Sequence, residues 1–459
     1  MRKLSGIFHL ITENLFIDAH NVSSFEDNTV KIQILGEIYC EDSFNDFSLI
    51  KKYYNFYKRN ISEYIEGIYL LSIYDKVSKE LLIIQDNISS PFTIYYTNYN
   101  NRVFYSTDLK SLLLKSQIPR RLHIELLDEF LTYGFIKGHN TLIKNIYKLQ
   151  PSTGLLINSH GIEEIKLTYN SKTILNKNSQ KKLQSTLPIN LSNYSDDKCI
   201  NLLSTNNNSK YIINSIKNTN KPINIFTTNS NQNTFFNEYN NIVNLFNNTS
   251  SANTETIQNF TDIVWCLEGS MYYYDLFSQY ELLKSAKKSG VNSLISDGSL
   301  NEIMLIKGHE ILSNSMDINI TYPLLNHSMI NILYKKRFIK KKLKNIDKDN
   351  LLSSNNTFQN IDSMYNSLFK SNDEINILYN KLEQSHIYTN NKSVIDKLIN
   401  TRFYKKFKSK NNNLKFQENK LQKYLGILYI IIFDKLFISG KYDYLFLSPR
   451  IKIKLNDLI

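Results

Sequence analysis

The spacing of apolar runs changes character once along the chain, and this change limits the fold more than any other feature. Over the first 115 residues the runs are short and follow one another closely. They are Val30–Leu35 (VKIQIL), Gly67–Tyr74 (GIYLLSIY), Glu80–Gln85 (ELLIIQ), Ile94–Thr97 and Val103–Tyr105, with polar turns at Asp75–Lys79 and Asn98–Asn101. Phe44–Asn60 carries helix-compatible spacing among them. Strands that neighbour one another in sequence predict antiparallel pairing. From Cys199 onward strands alternate with helices: Cys199–Leu203 (CINLL), helix Lys210–Ile216, Ile223–Thr227 (INIFT), helix Tyr272–Ser289 and Val291–Ser296 (VNSLIS). That alternation predicts a parallel α/β sheet. Between the two patterns lie a helix over Ile124–Tyr133 that stops at Gly134, a turn and strand over Pro151–Asn158, and a polar linker at Asn170–Asn190. Beyond Leu305 helices are expected, with an Asn-rich loop at Ser353–Asn360. The expected division is 1–118, a connecting segment 119–198, and 199–459.

At 459 residues the chain is long enough for two or three domains with cores of their own. Its net charge of +13 comes from lysines scattered along its length. The densest run, Lys335–Lys348, reads as a solvated helix face and has no nucleic-acid recognition motif beside it, so specific nucleic-acid binding is not expected. Cys40, Cys199 and Cys266 are far apart and lack metal-site spacing, which fits a reducing compartment. The N-terminus has neither a long apolar core nor a small-residue cleavage site, so no signal peptide is expected. Tyr424–Phe433 (YLGILYIIIF) is too short to span a bilayer and is expected as a buried helix or strand. The expectation is a soluble cytoplasmic protein without a membrane span.

Four segments, in order, resemble the asparagine-synthetase family. Gly36-Glu37-Ile38-Tyr39 is similar to its NGEIYN segment. Gln85-Asp86-Asn87 leading to Pro91-Phe92-Thr93-Ile94-Tyr95-Tyr96 is similar to RDxxGxxPLYY, and Phe104–Leu113 to FASELKALL. Thr141–Pro151 is similar to the TIxxxIxKLxPG stretch that joins the family's two domains. The match is clearest over residues 30–160 and thinner over 199–330. The resemblance implies an αββα sandwich of the Ntn-hydrolase type followed by an ATP-pyrophosphatase-type α/β domain with a parallel sheet. In that family a cysteine nucleophile uses its own α-amino group as base. A Ser- and Gly-rich loop (SGGxDSS) cradles pyrophosphate, and aspartates hold magnesium.

The catalytic positions implied by the resemblance are eroded. Leu4-Ser5-Gly6-Ile7 matches the family's Met-Cys-Gly-Ile, which puts Ser5 at the position of the nucleophile behind four extra residues. Leu35 replaces an oxyanion-hole asparagine, and the arginine-bearing HRGPD segment has no counterpart. Leu203-Ser204-Thr205-Asn206-Asn207-Asn208-Ser209 occupies the pyrophosphate loop, where Ser204 and Ser209 match, both glycines are lost and Asn208 replaces a magnesium aspartate. Ser296–Glu302 matches SGxGxDE at Gly298 and Glu302, with Asn301 for Asp and Asp297 as a new carboxylate nearby. Tyr322–Asn326 is similar to PFLD, again with Asn for Asp at Asn326. Each lost charge forfeits roughly 8 kcal/mol of attraction to a divalent ion at about 4 Å and an effective dielectric near 20, before desolvation is subtracted. Lys392 falls near the family's KxxLR lysine, but Asp396 stands at the arginine.

These substitutions imply a non-catalytic or strongly diverged homologue that serves as scaffold or partner in a peptide- or amide-modification pathway, with no cofactor of its own. The alternative is an ATP-dependent amide-forming ligase without glutaminase activity, using ATP and Mg²⁺. Lasso-peptide cyclases and β-lactam synthetases are family branches that also lack the cysteine, although they keep the pyrophosphate loop. A protein or peptide partner and a homodimer are both compatible with the resemblance, and the sequence names neither substrate nor partner.

Overall fold

The computed structural model describes residues 2–39, 45–86, 92–150, 152–167, 200–204, 212–213, 222–227, 243–247, 259–272, 275–298, 303–323, 426–448 and 453. Two compact units divide the chain. The first is built from Met1–Ile118, Tyr147–Asn248 and Leu282–Asp349, and the second from Pro119–Ile146, Thr249–Glu281 and Asn350–Ile459.

The first unit contains two antiparallel sheets. Strands β1 (Lys3–His9), β2 (Leu15–His20), β7 (Tyr95–Tyr99), β8 (Arg102–Ser106) and β9 (Tyr147–Lys148) form one, in the order β2-β1-β8-β7-β9. Strands β3 (Ser23–Glu26), β4 (Val30–Tyr39), β5 (Glu66–Asp75), β6 (Glu80–Gln85), β10 (Thr153–Asn158) and β11 (Gly161–Lys166) form the other, in the order β11-β10-β6-β5-β4-β3. Alternation along the strands explains why the second sheet is buried on both sides. On one face Ile32, Ile34, Leu71, Ile73 and Ile84 join Ile50 and Tyr54 of helix α1 (Phe47–Tyr57) in a single core. On the other, Leu70, Leu81, Ile83, Leu155 and Ile157 are equally buried. There Phe8 of β1 meets Tyr74 of β5 edge-on at 6.4 Å, so the first sheet covers this face. Each such aliphatic side chain contributes about 1.5–3 kcal/mol by leaving water. Helix α1 is started by Asp46, whose carboxylate accepts from the backbone N–H of Ser48 and Leu49. Helix α2 (Leu109–Ser116) is started in the same way by Asp108.

The sequence pattern accounts for β4 to β8 and β10 but not for β1 to β3, β9 or β11. In β1 a serine and a glycine interrupt the apolar run, and β3 is a four-residue edge strand. The antiparallel sheets also draw on residues past 118, since β9 pairs with β7 and β10 pairs with β6.

The first unit also carries a parallel sheet. Strands β12 (Ile200–Ser204), β13 (Ile223–Thr227), β14 (Val243–Asn247), β15 (Ser293–Ser296) and β16 (Asn319–Thr321) lie in the order β14-β13-β12-β15-β16. Strands β14 and β16 were not expected. Both lie in polar, Asn-bearing stretches without a long apolar run, and β16 corrects the expectation of helix alone beyond Leu305.

In the second unit, helices α3 (Leu127–Tyr133) and α4 (Phe260–Leu267) pack with a helical stretch over 426–433 that continues into a π-helical turn, Asp434–Ile438. The apolar Tyr424–Phe433 segment is thus a buried helix from 426 onward. Trp265 is fully buried between Phe437 and Phe446, with ring centroids 5.6 and 5.5 Å away, and its indole N–H donates to the Ser448 carbonyl at 3.0 Å. Arg120 forms a bidentate pair with Asp443 at 2.6 and 2.8 Å. Cys266 is buried. Helix α5 (Asp275–Lys288) precedes β15, and helix α6 (Ile303–Ser315) separates β15 from β16. No helix among the described residues is long and apolar enough to cross a membrane.

Candidate functional site

Ser5, at the expected nucleophile position, lies inside β1 and has no exposed surface. Its backbone is paired on both sides, with Asp18 of β2 and Ser106 of β8. Its hydroxyl donates to the Asp18 carbonyl at 3.2 Å and accepts from the Lys115 ammonium at 2.9 Å. Lys115 is engaged at the same time by the Asp18 carboxylate at 2.8 Å. The Lys115 hydrogen bond and charge hold the Asp18 carboxyl below its usual range. Lys115 is thus the donor toward both Ser5 and Asp18. The nitrogen of Ser5 is an amide within a β-ladder, where an Ntn nucleophile needs a free amine.

In the second sheet the backbone near the other expected site positions is tightly determined. Gly36 has φ of +93°, and a Cβ there would stand 2.2 Å from the Ile68 carbonyl oxygen. Asn45 braces the end of β4, accepting from the Ile38 N–H at 2.8 Å and donating to the Gly36 carbonyl at 3.2 Å. Asp86 is buried, and its N–H donates to the Tyr69 carbonyl at 2.9 Å. Leu35, at the expected oxyanion-hole position, is buried in β4 as part of the core.

A second constellation lies in the parallel sheet. The chain runs from β12 through β13 to β14 on one side, then returns to place β15 and β16 on the other. The sheet order therefore reverses between β12 and β15, which pair in parallel with Leu203 opposite Ser296. In open α/β sheets, ligands bind at the carboxyl ends of strands at such a switch point. Ser204 ends β12 there, and Asp297 follows β15, its N–H donating to the Leu203 carbonyl at 3.2 Å. Asp297 is buried, and the Ser296 hydroxyl accepts from the Gly298 N–H at 3.1 Å. A Cβ on Gly298 would press on the Ile306 side chain at 2.9 Å. The structure thus brings Leu203, Ser204, Asp297 and Gly298 to one sheet edge. Asn208, Ser209, Asn301, Glu302, Asn326 and Lys392 lie outside the described residues. Among the described residues no three His, Cys, Asp or Glu side chains gather as a metal site.

Helix α6, in the stretch expected to be helical, buries ionisable residues for which the sequence predicts no role. Glu310 is buried beside the Arg2 guanidinium, with which it forms an ion pair, and its carboxyl is raised by burial, against the pull of Arg2. His309 is buried with neither ring nitrogen hydrogen-bonded, and burial lowers it to about 4. Lys307 is also lowered by burial. The signal was present in the segment IMLIKGHEIL, where ionisable residues interrupt an apolar helix.

Comparison with known proteins decides the character of the front of the chain. Residues 34–169 match the family model described as a glutamine amidotransferase domain. Over these residues the chain is similar to glutamine amidotransferase domains. Its two antiparallel sheets, covered by α1 and α2, are the architecture expected for that fold. Weak homology extends to the asparagine synthetase [glutamine-hydrolyzing] 1 of Bacillus subtilis (strain 168), 25% identical over 155 residues, which is 30% of this chain and 24% of that protein. The matched segment thus spans about a quarter of that relative's length. A solved structure titled as the allosteric regulatory enzyme of purine biosynthesis overlaps 70% of this chain and 75% of its own at 9% identity. Its TM-score of 0.22 is too low to carry an argument about this chain.

Proposed function

We propose that this chain is a strongly diverged asparagine-synthetase-like protein whose amidotransferase domain does not hydrolyse glutamine. It acts in the cytoplasm as scaffold or partner in a peptide- or amide-modification pathway. The state of Ser5 carries the reading: an amide nitrogen locked in a ladder, a hydroxyl with donor and acceptor both used, and no exposed surface. A substrate amide has no route to such an oxygen, and the neighbouring lysine is committed to Asp18. Release of glutamate from glutamine by the purified protein, above the rate of a Ser5→Ala variant, would overturn it.

A second reading has its own support. The switch point between β12 and β15 favours an ATP-pyrophosphatase-type domain, and with it an ATP-dependent amide-forming ligase. Ser204, Ser209, Gly298 and Glu302 would then contact the nucleotide, and Lys392 the reacting phosphate. Asn208 and Asn301, as carboxamides, would bind Mg²⁺ more weakly than the carboxylates they replace. Calorimetry with Mg·ATP separates the two readings. The scaffold reading expects no binding at micromolar concentrations. Micromolar binding by the wild type favours the ligase. An Asn208→Asp, Asn301→Asp variant that gains binding would show that lost carboxylates are what silenced the site.

A further inference from the structure

Residues Arg2–Leu4 are held by neighbouring elements of the first unit, α6 and β8 with its following turn. The backbone N–H of Arg2 donates to Asn314 Oδ1 at 2.7 Å, and the Asn314 amide returns a bond to the Arg2 carbonyl at 3.0 Å. One carboxamide on α6 therefore grips both backbone groups of residue 2. The Arg2 guanidinium pairs with the buried Glu310 carboxylate, one helical turn before Asn314 on the same face, and lies 5.9 Å from the centre of the Phe92 ring. Tyr322, beyond β16, donates to the other Glu310 oxygen at 3.4 Å. Leu4 is fully buried and exchanges two bonds with Thr107, one from its N–H to the threonine hydroxyl at 3.1 Å and one to its carbonyl at 2.9 Å. Lys3 lies 3.7 Å from Asp108, the cap of α2. A buried carboxylate without a partner is costly, and Arg2 supplies that partner here.

We infer that Arg2–Leu4 form a permanent strap, retained in the working protein, that fastens helix α6 of the parallel sheet to strand β1 of the antiparallel sandwich. This goes beyond the functional reading above, because a strap of this kind holds the fold whether or not the switch point binds nucleotide. It also fixes the place of Ser5, which can acquire a free amine only if the strap is destroyed.

The test uses the full-length protein, read by intact mass and by trypsin susceptibility of the Lys3–Leu4 bond. The native preparation is expected to retain residues 2–4 and to resist cleavage there. Asn314→Ala and Glu310→Gln are expected to speed cleavage at Lys3 at least tenfold. The pair Arg2→Glu with Glu310→Arg is expected to protect the bond better than either change alone. His309→Leu alters the same helix without touching Arg2 and is expected to leave the rate within twofold of wild type. Loss of residues 2–4 from the native protein would overturn the proposal. So would unchanged cleavage in both Asn314→Ala and Glu310→Gln, no recovery in the exchanged pair, or a His309→Leu effect as large as that of Asn314→Ala.

Discussion

The antiparallel sandwich and the parallel sheet hold their expected site positions in opposite ways. In the sandwich the reactive position lies within a strand, so packing decides its fate. Ser5 is closed over by its neighbours, and its hydroxyl is absorbed into hydrogen bonds with Lys115 and Asp18. In the parallel sheet the site is made by strand ends, so topology decides where it lies and side chains decide only what it binds. The ends of β12 and β15 still stand together, with Ser204 and Asp297 beside them. Under the reading proposed above, a site inside a strand is silenced by filling, whereas one at a switch point keeps its backbone geometry and changes only its side-chain chemistry.

The comparison breaks first at the glycines. A Cβ on Gly36 meets a backbone carbonyl of the neighbouring strand, and the φ of +93° adds strain for any L side chain. Neither obstacle can move without parting β4 from β5. Gly36→Ala is therefore expected to cost about 3–5 kcal/mol in urea unfolding. If it costs no more than about 1 kcal/mol, the β4–β5 ladder is softer than its geometry implies.

The next largest effect lies on α6. His309 sits at about 4 in the folded protein, below its ordinary 6.5, because burial penalises the charged ring. The folded state therefore binds fewer protons than the unfolded chain between these values, and stability falls as pH drops from about 6.5 toward 4. The loss amounts to about 3 kcal/mol. His309→Leu removes this slope while Glu310, common to both proteins, keeps its own dependence. Urea unfolding of the two proteins between pH 7 and 4 is the check. Parallel curves would mean that His309 reaches water and the helix is less tightly packed against its surroundings than its burial indicates.

Gly298 gives the matching test in the parallel sheet. There a Cβ meets the end of the Ile306 side chain, which can turn aside, and the Ser296 hydroxyl at 3.2 Å. Gly298→Ala is expected to cost about 1–2 kcal/mol, clearly less than Gly36→Ala. Equal costs would erase the distinction between a rigid sandwich and a tolerant sheet edge.

Much of this contrast was legible in the residues themselves. Runs such as ELLIIQ and INIFT became β6 and β13 with the expected ends, because unbroken apolar stretches bounded by polar turns admit few other readings. The turn after Asn98 was readable from asparagine chemistry, and both Asn100 and Asn101 adopt positive φ there. Strand β1 was hidden because Ser5 and Gly6 interrupt its apolar pattern, and Gly6 is small to accommodate the Tyr105 ring. The Ser5 constellation was half legible. The position followed from resemblance, but Lys115 and Asp18 are partners brought in from α2 and β2, and no local spacing reports a contact across 97 residues. Glu310 was visible as a residue, yet its significance depends on Arg2, more than 300 positions away.

The smallest expected effect bears most directly on function. Ser5→Ala removes one buried hydroxyl but leaves the Lys115–Asp18 pair intact and partly exposed to water. The expected cost is about 1 kcal/mol, that of an ordinary hydrogen-bonded hydroxyl. Glutamine hydrolysis is expected at background in wild type, Ser5→Ala and Ser5→Cys alike. Cysteine is the stronger nucleophile, so Ser5→Cys asks whether the oxygen alone was at fault. If Ser5→Cys gains activity, an amine or another base must reach position 5, and filling was never complete. If it stays silent while its fold holds, the missing elements are the free amine and an open path. Both are consequences of placing position 5 inside a paired strand.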